Sequence, residues 1–178
     1  MGSKTKTAMN KVYEMLTARN LDIEATVLDL AEYDLPFSDG RHFLDYEGDA
    51  QFVTSTIMEA DAVIIGTPIY QASIPAPLKN IFDMLPVHAL EGKVASMVVT
   101  AGSQRHYLIA EQQLKPILSY MKAQIVPNYV FIEEMDFQLK EIVNDDVLFR
   151  LERLVDDTIL LAKTYQQLQA ARDAEFDF

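Results

Sequence analysis

The run Asp61-Ala62-Val63-Ile64-Ile65-Gly66-Thr67-Pro68-Ile69-Tyr70 constrains this chain more than any other stretch. Its apolar, β-branched core does not alternate with polar residues, the pattern of a strand buried on both faces of a parallel sheet. Pro68 stops that strand, because proline lacks an N–H and fixes φ. A short polar loop carrying Tyr70 and Ser73 follows, and Pro75 then stands near the first turn of a helix, where proline is tolerated. Open α/β sheets bind their ligands in loops at the carboxyl ends of such strands. The segment around Tyr70 is therefore the first candidate for binding.

The same grammar recurs downstream. Lys93 to Thr100 reads as a second buried strand, ending in Ala101-Gly102-Ser103-Gln104-Arg105-His106-Tyr107, a second loop of the ligand-binding type. A helix is predicted from about Leu108 to Met121, kinked at Pro116. Ile125 to Glu133 reads as a third buried strand. A long amphipathic helix is predicted over Asp145 to Arg172, with Leu148, Leu151, Leu154, Val155 and Leu161 toward the core. Residues 170–178 are expected to form a flexible tail or to dock on a neighbour.

Upstream, Gly2-Ser3-Lys4-Thr5-Lys6-Thr7 leads directly into a helix with Ala8, Val12, Met15 and Leu16 on one face. Its small hydroxyl residues read first as a plain N-cap, and a helix start also leaves N–H groups free for an anion. Ile23 to Leu30 alternates as a strand, Asp29 to His42 is a turn-rich loop, and roughly Gln51 to Glu59 is a helix. This alternation predicts a doubly wound α/β fold, a three-layer sandwich with a mostly parallel central sheet. Because a helix comes first, the expectation is a truncated start or a sheet lacking its first strand.

At 178 residues and 49% hydrophobic content the chain is expected to form a single domain over residues 1–178. No apolar run reaches membrane-spanning length, and no secretory leader is visible. The chain contains no cysteine, which excludes disulfides, thiolate catalysis and cysteine-ligated metal. These features fit a cytoplasmic protein. The net charge of −12 argues against general nucleic-acid binding, which depends on neutralising phosphates. Any anionic ligand must therefore be held by a local device. His42 and His88 lack metal-ligand spacing, so no metal is expected. Arg105 and His106 follow a ligand loop and are read either as a solvated pair or as partners of a nucleotide's phosphates. Lys79 and Asp83 are expected to form an exposed helical ion pair worth about 0.3–0.5 kcal/mol.

From Ala60 to about Glu134 the sequence resembles the NAD(P)H-dependent FMN reductases, a flavodoxin-like family, and most closely those that feed two-component alkanesulfonate monooxygenases. The resemblance rests on Ala60 to Tyr70 and on Pro77-Leu78-Lys79-Asn80 with Asp83, Leu85 and Pro86. It continues in Ala89-Leu90-Glu91-Gly92-Lys93-Val94 and Leu114-Lys115-Pro116-Ile117-Leu118. It implies that Pro68, Ile69, Tyr70 and Ser73 line an isoalloxazine ring whose other edge meets Thr100, Ala101, Gly102, Ser103 and Gln104. Ser3, Thr5 and Thr7 would stand at the end of the phosphate loop. It further implies hydride transfer from NADPH or NADH to FMN, with the cofactor carrying the chemistry and no catalytic side chain needed. Reduced flavin would pass to a monooxygenase, a quinone or azo acceptor, or oxygen. A homodimer or homotetramer is also implied.

Three positions depart from the family pattern. The phosphate loop retains only Ser3-Lys4-Thr5, leaving Lys4 or Lys6 without the fork of an arginine. Ala101-Gly102 replaces a glycine pair. Gln112 stands where the sulfonate-system reductases insert a tyrosine linked to a π-bulge, which leaves both flavin exchange and tight retention open. The acidic surface and short phosphate loop also keep two other readings open, a flavodoxin-like electron carrier and a flavin-free interaction module.

Overall fold

A computed structural model describes residues 3–19 and 23–176. Its centre is the parallel pair β1 (Ala62–Pro68) and β2 (Val94–Ala101), in register from Ala62 opposite Val94 to Pro68 opposite Thr100. On the far edge of β2 lie β3 (Gln124–Ile125) and β4 (Val130–Glu133), both parallel to it. The single strand expected over Ile125 to Glu133 is thus two short ones. Val126 N–H still donates to Ala95 O at 2.9 Å. Pro127 then has no N–H for the ladder, and the register with β2 slips by two residues before β4 resumes.

The expected strand over Ile23 to Leu30 does not form. Residues 23–29 join no ladder, and Asp29 caps a 3₁₀ turn at Leu30–Glu32. Alternation makes a strand only where an edge offers a partner. Leu28 and Leu30 nevertheless pack against the core. Among the described residues no strand pairs with the outer edge of β1.

Helices cover both faces. α1 (Lys4–Thr17) and α5 (Asp145–Phe176) lie on one side, where Val12, Leu151 and Val155 meet Val94, Val98 and Ile132 of the sheet. α2 (Gly48–Glu59), α3 (Ala76–Met84) and α4 (Lys115–Tyr120) lie on the other, where Val53, Met84 and Leu118 meet Ala95, Met97 and Val99. β2 therefore feeds alternate side chains into two cores, which explains its unbroken apolar sequence. The exceptions are Thr100, near the strand's end, and Ser96, whose hydroxyl accepts from Thr158 Oγ1 at 3.0 Å. Residues 170–176, expected as a tail, continue α5. A hairpin of β5 (Phe137–Gln138) and β6 (Glu141–Ile142), absent from the sequence reading, precedes that helix.

Two contacts set the height of β1 against its neighbours. Half-buried Lys93 donates from Nζ to Met58 O at 2.7 Å and Ala60 O at 2.6 Å, tying the end of α2 to the start of the sheet. Burial lowers its pKa, with Asp61 opposing that shift. At Gly66 a Cβ would overlap Cγ and Sδ of Met9, so the missing side chain is what lets α1 lie close on β1. Gly66→Ala is expected to cost about 1–3 kcal/mol of unfolding free energy through overpacking. In urea titrations the double variant with Met9→Ala should lose less than the sum of the single losses.

Candidate functional site

The in-register ends of β1 and β2 send their loops out side by side. Ile69 N–H donates to Thr100 O at 3.1 Å, continuing the pairing past Pro68. The chain then closes on itself: Tyr70 N–H donates to Ser73 O and Ser73 N–H to Tyr70 O, both at 3.0 Å. The two residues between them, Gln71 (φ 50°) and Ala72 (φ 59°), lie in the left-handed region. Positive φ at both central residues is the geometry of a type I′ turn, which normally selects glycine or asparagine. Each L-residue held there costs roughly 1–2 kcal/mol. Tyr70, on the rim of this turn, is 64% exposed.

The turn is braced by a residue the sequence reading did not single out. Ser73 Oγ donates to Gln113 Oε1, and Gln113 Nε2 donates to Ala72 O at 3.0 Å. Gln113 belongs to a π-helical turn, Ala110–Leu114, that runs directly into α4. The single kinked helix expected over Leu108 to Met121 is therefore divided. Pro116 lies in the first turn of α4, where its missing N–H disrupts least. Gln112 is exposed, while its neighbour Gln113 is half-buried against the Tyr70 turn.

The second loop begins at Thr100 and Ala101, the last residues of β2, and passes through Gly102 and Ser103 into a 3₁₀ turn at Gln104–His106. A Cβ on Gly102 would meet nothing within 4 Å, so the space beside this backbone is open. That opening lies just past the end of β2, whose Thr100 pairs with Pro68 two residues before Tyr70. The loop's far end is anchored by Tyr107, whose ring lies 5.3 Å from Tyr129 and 5.4 Å from Phe131. Tyr129 donates its hydroxyl to Tyr107 O, and burial raises its phenol pKa. On the β4 side, Gln104 and Tyr107 also border a cleft of about 520 Å³ with Glu133, Asp136 and Arg150.

α1 supplies the third wall. Ser3 is its N-cap, its Oγ accepting from Lys6 N–H at 3.3 Å. Thr5 Oγ1 lies 2.6 Å from Thr100 Oγ1, locking the first turn of the helix to the end of β2. Thr7 is placed elsewhere, in a smaller cleft with Lys4, Glu134, Phe137 and Lys140. Two residues apart on an α-helix means roughly 200° of rotation, so Thr5 and Thr7 face different ways. The lysines are engaged by carboxylates. Lys4 pairs with Glu134 at 2.5 Å and pulls that carboxyl below its ordinary pKa. Lys6 meets Glu32 at 2.6 Å and Asp29 at 2.9 Å, which together raise its pKa. Arg105 is exposed and His106 half-buried, both on the second loop's 3₁₀ turn. Lys79 and Asp83 pair at 2.5 Å on an exposed face of α3, as expected from their spacing.

Comparison with known proteins points the same way. Residues 1–137 match the sequence model of the family described as NADPH-dependent FMN reductase. An NAD(P)H-dependent FAD/FMN reductase of Geobacillus thermodenitrificans is 36% identical over 162 residues, covering 89% of this chain and 86% of the relative. An FMN reductase (NADPH) of Pseudomonas aeruginosa is 29% identical over 133 residues, 75% of this chain and 72% of that one. Among solved structures, the apo form of an NADH:FMN oxidoreductase superposes with a TM-score of 0.77 at 28% identity, covering 90% of this chain and 83% of that one.

The Thr5–Thr100 contact makes a direct test of how α1 is held to the rim. Thr5→Val leaves the buried Thr100 hydroxyl without this partner and is expected to cost about 1–3 kcal/mol in unfolding free energy. Thr5→Ser, which keeps the hydroxyl, should retain most of that stability.

Proposed function

The chain belongs to the NADPH-dependent FMN reductase family, and on that premise we propose that it transfers hydride from NAD(P)H to FMN at the rim between Tyr70 and Gly102. The observation that carries this reading is the open space beside Gly102 on a strand end in register with the one leading to Tyr70. Bound there, the flavin supplies the hydride-accepting chemistry, so no side-chain acid or base is called for.

The protein's part is to bind and orient. Pro68, Ile69, Tyr70 and Ser73 are assigned to one edge of the ring, and Thr100, Ala101, Gly102, Ser103 and Gln104 to the other. The Gly102 backbone allows close approach, and N–H donors on that loop would stabilise negative charge on the reduced ring. Ser3, Thr5 and the first-turn N–H groups of α1 are assigned to the phosphate, since a helix start favours an anion. Thr7, in its separate cleft, contributes to the helix and not to this site. Arg105 is the cation nearest the ring loop in sequence and suits the phosphates of a nicotinamide nucleotide, with His106 beside it as a further hydrogen-bonding group. The names of relatives include both NADH and NADPH, and this reading accepts either.

Reduced flavin is then passed on, to a partner monooxygenase or to a quinone, azo compound or oxygen. A cytoplasmic homodimer or homotetramer completes the proposal. It draws support from the exposed apolar side chains of Tyr70, Tyr107, Leu108 and Tyr120, which a second copy would cover.

Purified protein is expected to oxidise NAD(P)H only when FMN is present, monitored by loss of nicotinamide absorbance. Absence of FMN-dependent turnover with both nucleotides overturns the assignment. Tyr70→Ala should raise the KM for FMN about five- to tenfold, the factor set by roughly 1–1.5 kcal/mol of ring contact. Light scattering should give at least a dimer, and a monomer removes the oligomer from the proposal.

A further inference from the structure

We propose that Gln113 is a positioning residue that holds the Tyr70 turn in its binding shape, so that FMN affinity is set partly from the π-helical turn on the neighbouring helix. The inference rests on the reading of this rim as the flavin site and goes beyond it, since Gln113 itself borders none of the assigned ring contacts except through Ser73.

A two-residue turn with glutamine and alanine at positive φ is a poor choice by local preference. Residues in such regions persist where their surroundings over-determine them, and they concentrate where shape matters to a ligand. Two reciprocal backbone bonds close this turn, but both lie at its base. The tip is held from outside by one side-chain amide. Its oxygen accepts from the Ser73 hydroxyl and its nitrogen donates to the Ala72 carbonyl. An amide is suited to this pair of contacts, because one planar group carries an acceptor and a donor side by side. Both contacts also fix which way the amide is turned.

The π-helical turn explains how the amide reaches. An extra residue in one helical turn rotates the later part of a helix relative to the earlier part. Ala110 and Leu114 both remain buried in the core while Gln113, between them, faces the Tyr70 turn. Local widening of the helix thus lets the core packing and the brace coexist.

The test separates the turn from the ligand. In wild-type protein without flavin, amide hydrogen exchange at Tyr70 and Ser73 should be slow, and Gln113→Leu should speed it there while leaving β2 protected. In the same variant the FMN dissociation constant, read by flavin fluorescence, should rise about tenfold, the factor of one lost net hydrogen bond. The hydride-transfer rate at saturating FMN should change little. Gln113→Glu gives a readout that loss of packing alone would not. Its neutral acid can accept from Ser73 and donate to Ala72 O, whereas its carboxylate faces that carbonyl. Its FMN affinity relative to wild type at the same pH should therefore recover as pH falls from about 6 toward 4, through the ordinary carboxyl range. Unchanged exchange at Tyr70 and Ser73 in Gln113→Leu overturns the brace. So does a pH-independent defect in Gln113→Glu. Wild-type protein that takes up no FMN overturns the flavin reading and this inference's ligand with it, while the exchange data still decide the brace.

Discussion

The parallel pairing of β1 with β2 is the constraint on which the rest of the molecule depends. Seven residues of β1 run in register with β2, so both strands stop at one level and their loops leave together. Two cores hold that register. Ala95, Met97 and Val99 point into the layer under α3 and α4, while Val94 and Val98 point into the layer under α1 and α5. A slip of one residue would exchange these sets. It would also carry Ser96 away from Thr158, leaving a buried hydroxyl among apolar side chains. The slip is therefore costly on both faces at once, and the rim inherits its geometry from that cost.

The architecture was legible where burial and punctuation act locally. Continuous β-branched runs identified β1 and β2, and Pro68 and Pro75 marked the loop between strand and helix. Leu148, Leu151, Leu154 and Val155 give α5 its inner face as expected, whereas Leu161, expected on the same face, is exposed. The misses share a physical cause, dependence on partners that sequence neighbours do not reveal. Ile23 to Leu30 alternates as a strand should, yet no ladder receives it. Its Asp29 instead caps a turn and meets Lys6. Pro127 falls inside the expected third strand, and its missing N–H divides that strand in two. A π-helical turn keeps the apolar spacing of an α-helix closely enough that periodicity does not separate the two. The turn at Leu139 and Lys140, with φ of 48° and 70°, lacks the glycine or asparagine that would have announced the β5–β6 hairpin.

At the candidate site the division is similar. Pro68 and Ile69 come beside Thr100 because strand ends in a parallel sheet are neighbours, a consequence of topology that a sequence can express. The contribution of α1 was harder to read. Helical rotation turns Thr7 away from the partner that Thr5 finds in Thr100, and the two basic side chains of the first turn are drawn to Glu134, Glu32 and Asp29. These pairs are exposed and open to screening by salt, so they compete only weakly with a stronger anion. Gly66 ties this helix to the sheet. Without its bare backbone Met9 would have to move, and the first turn of α1 would lift from the strand ends it now abuts.

Among the described residues two tight turns carry paired non-glycine residues at positive φ, and their surroundings differ. Leu139, in the turn between β5 and β6, is 93% exposed, and its hairpin packs on the core through Phe137 and Ile142 of the strands and not through the turn. The turn at Gln71 and Ala72 adjoins the end of the most constrained strand pair in the molecule and is gripped from a second element by Gln113. Equal strain with unequal support argues that the shape of the Tyr70 turn is specified and not merely tolerated. A strand register defended by two cores fixes where that turn begins. A side chain from a widened helix then fixes how it is folded. Between them they leave Tyr70 exposed at the end of the strand that pairs with the one leading to Gly102.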